Sequence, residues 1–284
     1  MFCLARVQPG RLFATAAAVA LALAAQPALA RRAAERPVSE MLFNVSSGKL
    51  LYAEQPDVVR HPASLTKMMT LYLLFDALDA GKVQLDDAVP VSRNAARQPP
   101  SRLGVPAGRS VSVRTAISAM AVRSSNDMAV AIAEKLAGSE ARFATLMTAK
   151  ARQLGMRNTS FANASGLTNP GNLTTARDMT RLAVALLKNH PRQYPVFSAR
   201  SITWQSHRLA SHDHLLGKIS GVDGIKTGYT VDSGYNIVTS ADRGGVRIIA
   251  VVLGDTSVQA RDLRVANLVE LGFTSPPTGR RRRR

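Results

Sequence analysis

Predicted β-strands lie near both ends of the chain, and the long stretch between them is predicted to be mainly helical. The strand-like segments are Glu40–Val45 and Lys49–Gln55 in the N-terminal part, and about 222–227, 234–241 and 246–254 in the C-terminal part. The last of these is almost continuously apolar, which is typical of a central strand. Strands separated in this way indicate one sheet that both chain ends complete, with an all-helical lobe inserted between them.

Apolar periodicity predicts the helices of this lobe. The segment Ser64–Ala80 carries apolar side chains on most of its surface, so we expect Ser64 to open a buried helix that Gly81 ends. Residues 83–112 are rich in Pro, Gly and Arg and are predicted to be irregular. Further helices are predicted at about 113–122, 126–137, 139–153, 174–189 and 259–271.

The first 30 residues are predicted to be a signal peptide and not part of the fold. Arg6 and Arg11 flank the start of an apolar run that extends from Phe13 to Ala25, and Ala28-Leu29-Ala30 provides the small residues that signal peptidase recognises. A transmembrane anchor is the alternative, but the run is shorter than the roughly 20 residues that span a bilayer. We therefore expect an exported protein, periplasmic or associated with the cell envelope, with a short linker at 31–37 and no later transmembrane segment.

Cysteine usage limits the chemistry of the mature chain. The single cysteine, Cys3, lies inside the predicted signal peptide. After cleavage the chain would contain no cysteine, which excludes a disulfide, a thiolate nucleophile and a cysteine-ligated metal. The hydrophobic core must then hold the fold together.

The chain is strongly basic, with a formal net charge of +18, and loss of Arg6 and Arg11 with the signal peptide would leave +16. Five of these charges belong to Arg280–Arg284, within a segment 273–284 that is predicted to be a disordered basic tail. Such a charge attracts polyanions, which in the cell envelope are anionic lipid headgroups or wall polymers. Nucleic acid is a poor alternative, since export removes the chain from it and only 5% of residues are aromatic.

The segment His61-Pro62-Ala63-Ser64-Leu65-Thr66-Lys67 contains the first candidate for chemistry. A serine at the start of a helix points its hydroxyl at the positive end of the helix dipole, where a developing anion is favoured. Lys67 lies one turn later on the same face and can reach that hydroxyl. To accept the serine proton Lys67 must be neutral, so its pKa must be depressed by burial or by a second cation. The alternative is an ordinary helix cap followed by a solvated lysine.

Two further motifs favour the catalytic interpretation. Ser124-Ser125-Asn126 lies between two predicted helices, and Lys226-Thr227-Gly228 lies on a predicted strand. S-x-x-K, S-D-N and K-T-G in this order are typical of penicillin-binding proteins and class A β-lactamases, and the middle motif here reads S-S-N. Lys226 supplies a second cation near Lys67, Ser124 can relay a proton, and Asn126 can hold a substrate amide. Gly228 lets a substrate backbone approach the strand edge.

With these motifs the sequence resembles the D-alanyl-D-alanine carboxypeptidases, which are low-molecular-mass penicillin-binding proteins, over roughly residues 36–272. The resemblance also rests on Thr175-Ala176-Arg177-Asp178, on Val222-Asp223-Gly224-Ile225 before Lys226, and on Gly234-Tyr235-Asn236. It implies an α/β fold in which an antiparallel sheet is flanked by helices, with the inserted all-helical lobe, and a serine peptidase domain at 38–272. It implies peptidoglycan stem peptides as substrates, β-lactams as covalent inhibitors, and no cofactor.

The resemblance also implies roles for individual residues. Ser64 would form the acyl-enzyme, Lys67 would accept its proton, and the backbone N–H groups of Ser64 and Tyr229 would form the oxyanion hole. Ser124 and Asn126 would complete the catalytic group, while Lys226 and Thr227 would bind substrate. Arg261 matches the arginine that receives the terminal carboxylate of the substrate, a role that suits a bidentate guanidinium. The alternative is a solvated arginine at the start of a helix.

Two features depart from the family pattern. Many members carry a further β-rich domain and a C-terminal amphipathic helix, and neither is predicted in this sequence. The stretch Ser211-His212-Asp213-His214 resembles a family loop that contains asparagines, and its H-x-H pattern also suggests a metal site. No third and fourth ligands lie at a usable spacing, so no metal is expected.

Three rival functions follow from the same motifs. A class A β-lactamase needs a glutamate poised over the ester, and no glutamate occurs between Glu140 and Glu270. A catalytically silent peptidoglycan-binding protein would not need all three motifs. An endopeptidase acting on cross-linked peptides uses the same machinery as a carboxypeptidase, so the sequence leaves that choice open.

Overall fold

The computed structural model describes residues 37–274. The predicted signal peptide, residues 31–36 of the predicted linker, and the predicted tail beyond residue 274 lie outside the described residues. The part described contains seven α-helices and nine strands. The helices are α1 (Thr66–Asp79), α2 (Arg93–Ala96), α3 (Val113–Arg123), α4 (Asn126–Ala137), α5 (Glu140–Gln153), α6 (Ala176–Asn189) and α7 (Val258–Thr274). The strands are β1 (Ser39–Asn44), β2 (Lys49–Glu54), β3 (Ala88–Pro90), β4 (Ser110–Ser112), β5 (Ser201–Trp204), β6 (His207–Ala210), β7 (Val222–Thr230), β8 (Gly234–Arg243) and β9 (Val246–Asp255).

Five strands form one antiparallel sheet in the order β2-β1-β9-β8-β7. The first strand therefore pairs with the last, with Leu42 opposite Ala250. This arrangement confirms the prediction that both ends of the chain complete one sheet. β7, which carries Lys226, is an edge strand, so one side of its backbone is not paired within the sheet.

Apolar side chains cover both faces of the sheet. On one face, α7 packs Val265, Leu268 and Val269 against inward-facing residues of β1, β8 and β9. On the other face, Ile249 and Val251 of β9 belong to the main core with α1 and α6. The run 248–255 of β9 is wholly buried, as expected for a central strand.

The inserted lobe is built around α1. This helix contacts α3, α4, α5 and α6, and ten of its fourteen residues are buried, so the expected apolar helix is confirmed. The lobe is predominantly but not wholly helical, because it also carries the two-stranded sheets β3–β4 and β5–β6. Among residues 37–274, no helix has both the length and the apolar character needed to cross a bilayer.

Local differences from the predicted elements have physical causes. Residues 83–112 are not irregular throughout, since they contain β3, α2 and β4, but these elements are too short to produce a periodic pattern. The β5–β6 hairpin turns at Gln205 and Ser206, both with positive φ (46° and 65°). Such turns usually carry Asn-Gly, so the sequence gives no turn signal here. The last helix extends to Thr274, past the predicted end at 271.

Candidate active site

Ser64 lies in a tight turn that precedes α1. Ala63–Leu65 forms a single 3-10 turn, and α1 begins only at Thr66, so Ser64 does not open the α-helix as predicted. Pro62 accepts a hydrogen bond from the Leu65 N–H at 3.2 Å, and Ala63 has a positive φ of 48°. The left-handed conformation of Ala63, directly after Pro62, turns the backbone sharply, and the Ser64 hydroxyl that follows faces the cleft.

Lys67 is fully buried below Ser64, and its amine contacts three oxygen atoms. The Nζ–Oγ distance to Ser64 is 3.0 Å, while Nζ lies 2.7 Å from Oδ1 of Asn126 and 2.6 Å from the backbone carbonyl of Ser165. Residues from three separate parts of the chain therefore converge on one amine.

Burial lowers the pKa of Lys67 well below its usual value, and the charge of Lys226 lowers it further. The Asp127 carboxylate opposes this shift. Burial also lowers the pKa of Lys226, to about 7, with Asp213 opposing the shift and Arg261 adding to it. Both effects expected from the sequence, desolvation and a second cation, therefore act on Lys67.

The hydrogen-bond partners of Lys67 determine where its lone pair points. A neutral amine has two N–H donors and one lone pair, and the Ser165 carbonyl can only accept. The Asn126 side chain donates through Nδ2 to the Pro99 carbonyl at 2.9 Å, which leaves its Oδ1 as the acceptor that faces Lys67. When the amine is neutral, these two oxygens can accept both N–H groups, which leaves the lone pair for the Ser64 hydroxyl.

Ser124 ends α3 and brings its hydroxyl to the same cleft. Its φ of 59° is left-handed, which reverses the chain so that α4 can begin at Asn126. The Ser124 Oγ is buried and has no hydrogen-bond partner within the described part of the chain. A hydroxyl in this state is free to exchange a proton with a bound molecule.

The edge strand β7 forms the opposite wall. Lys226 is buried and donates to the Thr227 carbonyl at 2.9 Å, while Thr227, Gly228 and Tyr229 line the cleft. A Cβ atom on Gly228 would lie 3.1 Å from both the Pro62 carbonyl oxygen and the Ser64 nitrogen. The glycine therefore permits close contact between β7 and the turn that carries Ser64, in addition to the approach of substrate that the sequence suggested.

Arg261 is 3% exposed and lines the cleft, which contradicts the alternative of a solvated helix-start arginine. Asp262 accepts from Nε and Nη2 of Arg261 at 2.9 and 2.7 Å. The Nδ1 atom of His214 lies 3.5 Å from the other Asp262 oxygen. The guanidinium is thus held in a fixed orientation.

The cleft has a volume of about 380 Å³. Of the predicted site residues, seven line it and the two buried lysines, Lys67 and Lys226, lie beneath its surface. None of the described residues that line it is an aspartate or a glutamate. Its lining consists of Ser64, Pro100, Ser101, Ser124, Asn126, Gly166, Leu167, His212, His214, Thr227, Gly228, Tyr229, Thr230, Tyr235, Val258 and Arg261.

The histidines of the H-x-H stretch both face this cleft. Burial and the nearby cations Lys226 and Arg123 lower the pKa of His212 to about 4, so it is neutral at pH 7. Among residues 37–274, no cluster of three or more His, Cys, Asp or Glu side chains could hold a metal ion.

The sequence analysis assigned no role to three residues that position the site. Ser165 contacts Lys67 through its backbone carbonyl, and because every residue type has this group, the sequence could not single it out. Asp127 is buried beside Asn126, and its carboxylate accepts from the backbone N–H groups of Leu103 and Gly104, contacts that depend on the tertiary structure. Asn236 was noted as part of a family motif, and the structure shows that its Nδ2 donates to the carbonyls of His61 and Pro62, at 3.0 and 3.2 Å.

The fold and the grouping of Ser64, Lys67 and Lys226 define a serine–lysine site of the penicillin-binding class. Comparison with known proteins agrees with this class. The family model described as D-alanyl-D-alanine carboxypeptidase matches residues 25–257. The chain belongs to this family.

Individual relatives support the same assignment. D-alanyl-D-alanine carboxypeptidase DacF of Bacillus subtilis is 36% identical over 84% of this chain and 63% of its own length. The crystal structure of the D-alanyl-D-alanine carboxypeptidase DacD from Francisella tularensis superposes with a TM-score of 0.82 at 31% identity, covering 83% of this chain and 70% of that one. Penicillin-binding protein D2 from Listeria monocytogenes, in its cefotaxime-bound form, gives a TM-score of 0.76 at 34% identity, covering 83% and 96%. The chain spans about three-fifths of the length of curated relatives such as DacF of Bacillus subtilis and DacC of Escherichia coli.

The arrangement around Lys67 leads to a direct test of its role. In Lys67→Arg the guanidinium stays protonated (pKa above about 12), so acylation by a fluorescent penicillin should slow by orders of magnitude. Stopped-flow fluorescence gives the rate, and circular dichroism checks the fold. Lys150→Arg is the matched control, since Lys150 pairs with Asp76 away from the cleft. Acylation of Lys67→Arg within a few-fold of wild type would refute a general-base role.

Proposed function

We propose that the protein is a serine-type D-Ala-D-Ala carboxypeptidase that removes the terminal D-alanine from peptidoglycan stem peptides through a Ser64 acyl-enzyme. The observation that carries the proposal is the set of contacts around the Lys67 amine, which lies within hydrogen-bond distance of Ser64 Oγ, Asn126 Oδ1 and the Ser165 carbonyl. In the neutral amine the last two oxygens would take both N–H groups and leave the lone pair for Ser64. The names of the similar proteins support the same reaction.

Acylation begins with the peptide extended along the free edge of β7, where it can pair with the strand backbone. Ser64 Oγ attacks the carbonyl carbon of the penultimate D-alanine while Lys67 accepts the hydroxyl proton. The N–H groups of Ser64 and Tyr229 receive the oxyanion. The proton on Lys67 passes to Ser124 as the Ser124 hydroxyl gives its own proton to the leaving amine, so the peptide bond breaks, D-alanine departs and Lys67 is neutral again.

Deacylation restores the enzyme. Water attacks the ester carbonyl, a proton passes to the Lys67 amine, and the ester bond to Ser64 Oγ breaks as that oxygen regains a proton. The product is the peptide shortened by one residue. No cofactor takes part in these steps.

Recognition of a free C-terminus is assigned to Arg261. A buried guanidinium is a strong partner for a carboxylate, and Arg261 and Thr227 both line the cleft. Asp262 keeps the guanidinium in place through Nε and Nη2. An amidated peptide would lose this ion pair.

The β-lactamase alternative is disfavoured by the position of Glu140. Glu140, at the start of α5, accepts a hydrogen bond from the Ala164 N–H at 2.9 Å and does not line the cleft. It therefore supports the backbone segment that presents the Ser165 carbonyl to Lys67. No carboxylate among the described lining residues is placed to activate water against a penicilloyl ester.

Two deacylation rates separate these functions. We expect penicillin to form a slowly decaying adduct, because its tethered leaving group shields an ester that has no dedicated carboxylate base, whereas a peptide ending in D-Ala-D-Ala should turn over. A thousandfold difference corresponds to about 4 kcal/mol of barrier, which is reasonable for one missing base. Mass spectrometry follows the penicilloyl enzyme and the released D-alanine.

Ser64→Ala is the control for this experiment and should abolish both reactions without unfolding the protein. Rapid multi-turnover hydrolysis of penicillin without release of D-alanine would identify a β-lactamase instead. A cross-linked peptide dimer offered beside the pentapeptide distinguishes endopeptidase from carboxypeptidase action.

We also propose that the protein is exported and contacts the anionic cell envelope through its basic charge, including Arg280–Arg284. Deletion of these five residues should release the protein from vesicles that contain anionic lipid, because each exposed cation near such a surface adds to binding. Raising the salt concentration should mimic the deletion. Co-sedimentation measures binding, and turnover of a soluble peptide should not change. Equal binding with and without the tail at low salt would end this proposal.

A further inference from the structure

Asp127 is a fully buried carboxylate next to the active site, and its bonds reach the wall of the cleft. Its Oδ1 accepts from the backbone N–H groups of Leu103 at 3.0 Å and Met128 at 2.9 Å, and its Oδ2 accepts from Gly104 at 2.9 Å. One carboxylate thus connects the first turn of α4 to the backbone at Leu103 and Gly104. We call residues 99–104 the wall segment, because Pro100 and Ser101 line the cleft.

The wall segment in turn holds Asn126. The Asn126 backbone N–H donates to the Ser101 carbonyl at 2.7 Å, and its Nδ2 donates to the Pro99 carbonyl at 2.9 Å. The second bond sets the side-chain amide so that Oδ1 faces Lys67 at 2.7 Å. Hydrogen bonds at both ends of the wall segment, joined by its covalent backbone, therefore connect Asp127 to Asn126 and so to the amine of Lys67.

We propose that Asp127 is a positioning residue of the active site, which fixes the wall segment so that Asn126 holds Lys67 and which places a negative charge near that amine. This inference rests on the proposed serine–lysine mechanism. It adds a residue that touches neither the substrate nor Ser64 and acts through Asn126.

Loss of the Asp127 charge and loosening of the packing around Lys67 would shift the pKa of Lys67 in opposite directions. The charged groups that face Lys67 are Lys226 from β7 and Asp127 from α4, while His212 is neutral above about pH 4. The negative charge of Asp127 stabilises the protonated amine, so its removal should lower the pKa of Lys67. Loosened packing alone would admit water, reduce desolvation and raise that pKa.

The test compares Asp127→Asn with wild type through the pH dependence of acylation by a fluorescent penicillin. The second-order rate constant should fall, by about tenfold to a hundredfold, because the base is misplaced. The acid limb of the pH profile of this rate constant reports the pKa of Lys67 in the free enzyme, and it should move to lower pH. Hydrogen–deuterium exchange of the amides of residues 101–104 should accelerate, and this measurement does not depend on activity.

Asp178→Asn is the matched control. Asp178 is also a fully buried carboxylate on the first turn of a helix, and it accepts from the Asn158 N–H at 2.8 Å and from the Thr159 hydroxyl at 2.9 Å, but it has no contact with the wall segment. This variant should lose stability and keep both the acylation rate and the acid limb. The proposal would be overturned if Asp127→Asn lost stability but kept the wild-type acylation rate and acid limb. It would also be overturned if the acid limb of Asp127→Asn moved to higher pH.

Asp127→Glu covers the case in which Asp127→Asn does not fold. The charge remains and the carboxylate is displaced by one methylene, so acylation should slow while the acid limb stays near that of wild type. Wild-type acylation by this variant would overturn the positioning role. If wild type itself is not acylated by penicillin, the serine–lysine mechanism fails separately, and hydrogen exchange still decides whether Asp127 fixes the wall segment.

Discussion

The burial of one lysine is the interaction on which the rest of the site depends. An amine serves as a base only when it is neutral, and two conditions lower the pKa of Lys67 toward that state: the interior excludes water from the amine, and Lys226 repels its proton. Neither condition is a property of the S-x-x-K motif. Both require that α1, the edge strand β7, the chain reversal at Ser124 and the segment around Ser165 pack together.

The architecture explains how so many segments meet at one amine. α1 lies in the middle of the lobe and points its N-terminal end at β7, an edge strand whose unpaired side is available to substrate. Glycines make the closest approaches possible. A Cβ atom on Gly166 would lie 1.8 Å from the Ala63 carbonyl oxygen, and one on Gly228 would lie 3.1 Å from the Ser64 nitrogen. Close contacts between backbone segments therefore build the site together with the side-chain contacts.

Sequence reasoning recovered those parts of the molecule whose signals are strong or local. The pairing of first and last strands followed from the order of predicted elements, and Ser64, Lys67, Ser124 and Asn126 do meet around one cleft. The parts that escaped prediction depend on tertiary contacts. Ser165 contributes a carbonyl, Asp127 acts on backbone N–H groups far along the chain, and the hairpin turn at Gln205 and Ser206 uses residue types that rarely adopt its geometry. The 3-10 turn at Ala63 likewise follows from the contacts that surround it and not from its residue types.

The pairing of β1 with β9 also affects how the molecule can fold. Leu42 and Ala250 are roughly 200 positions apart, and β1 cannot take its place in the sheet until β9 has left the ribosome. Contacts of such long range slow folding, since the chain must close a large loop before it gains any pairing. The five-stranded sheet therefore cannot be completed until the last strand is free, and this delay suits the proposed export, in which the chain would cross the membrane unfolded.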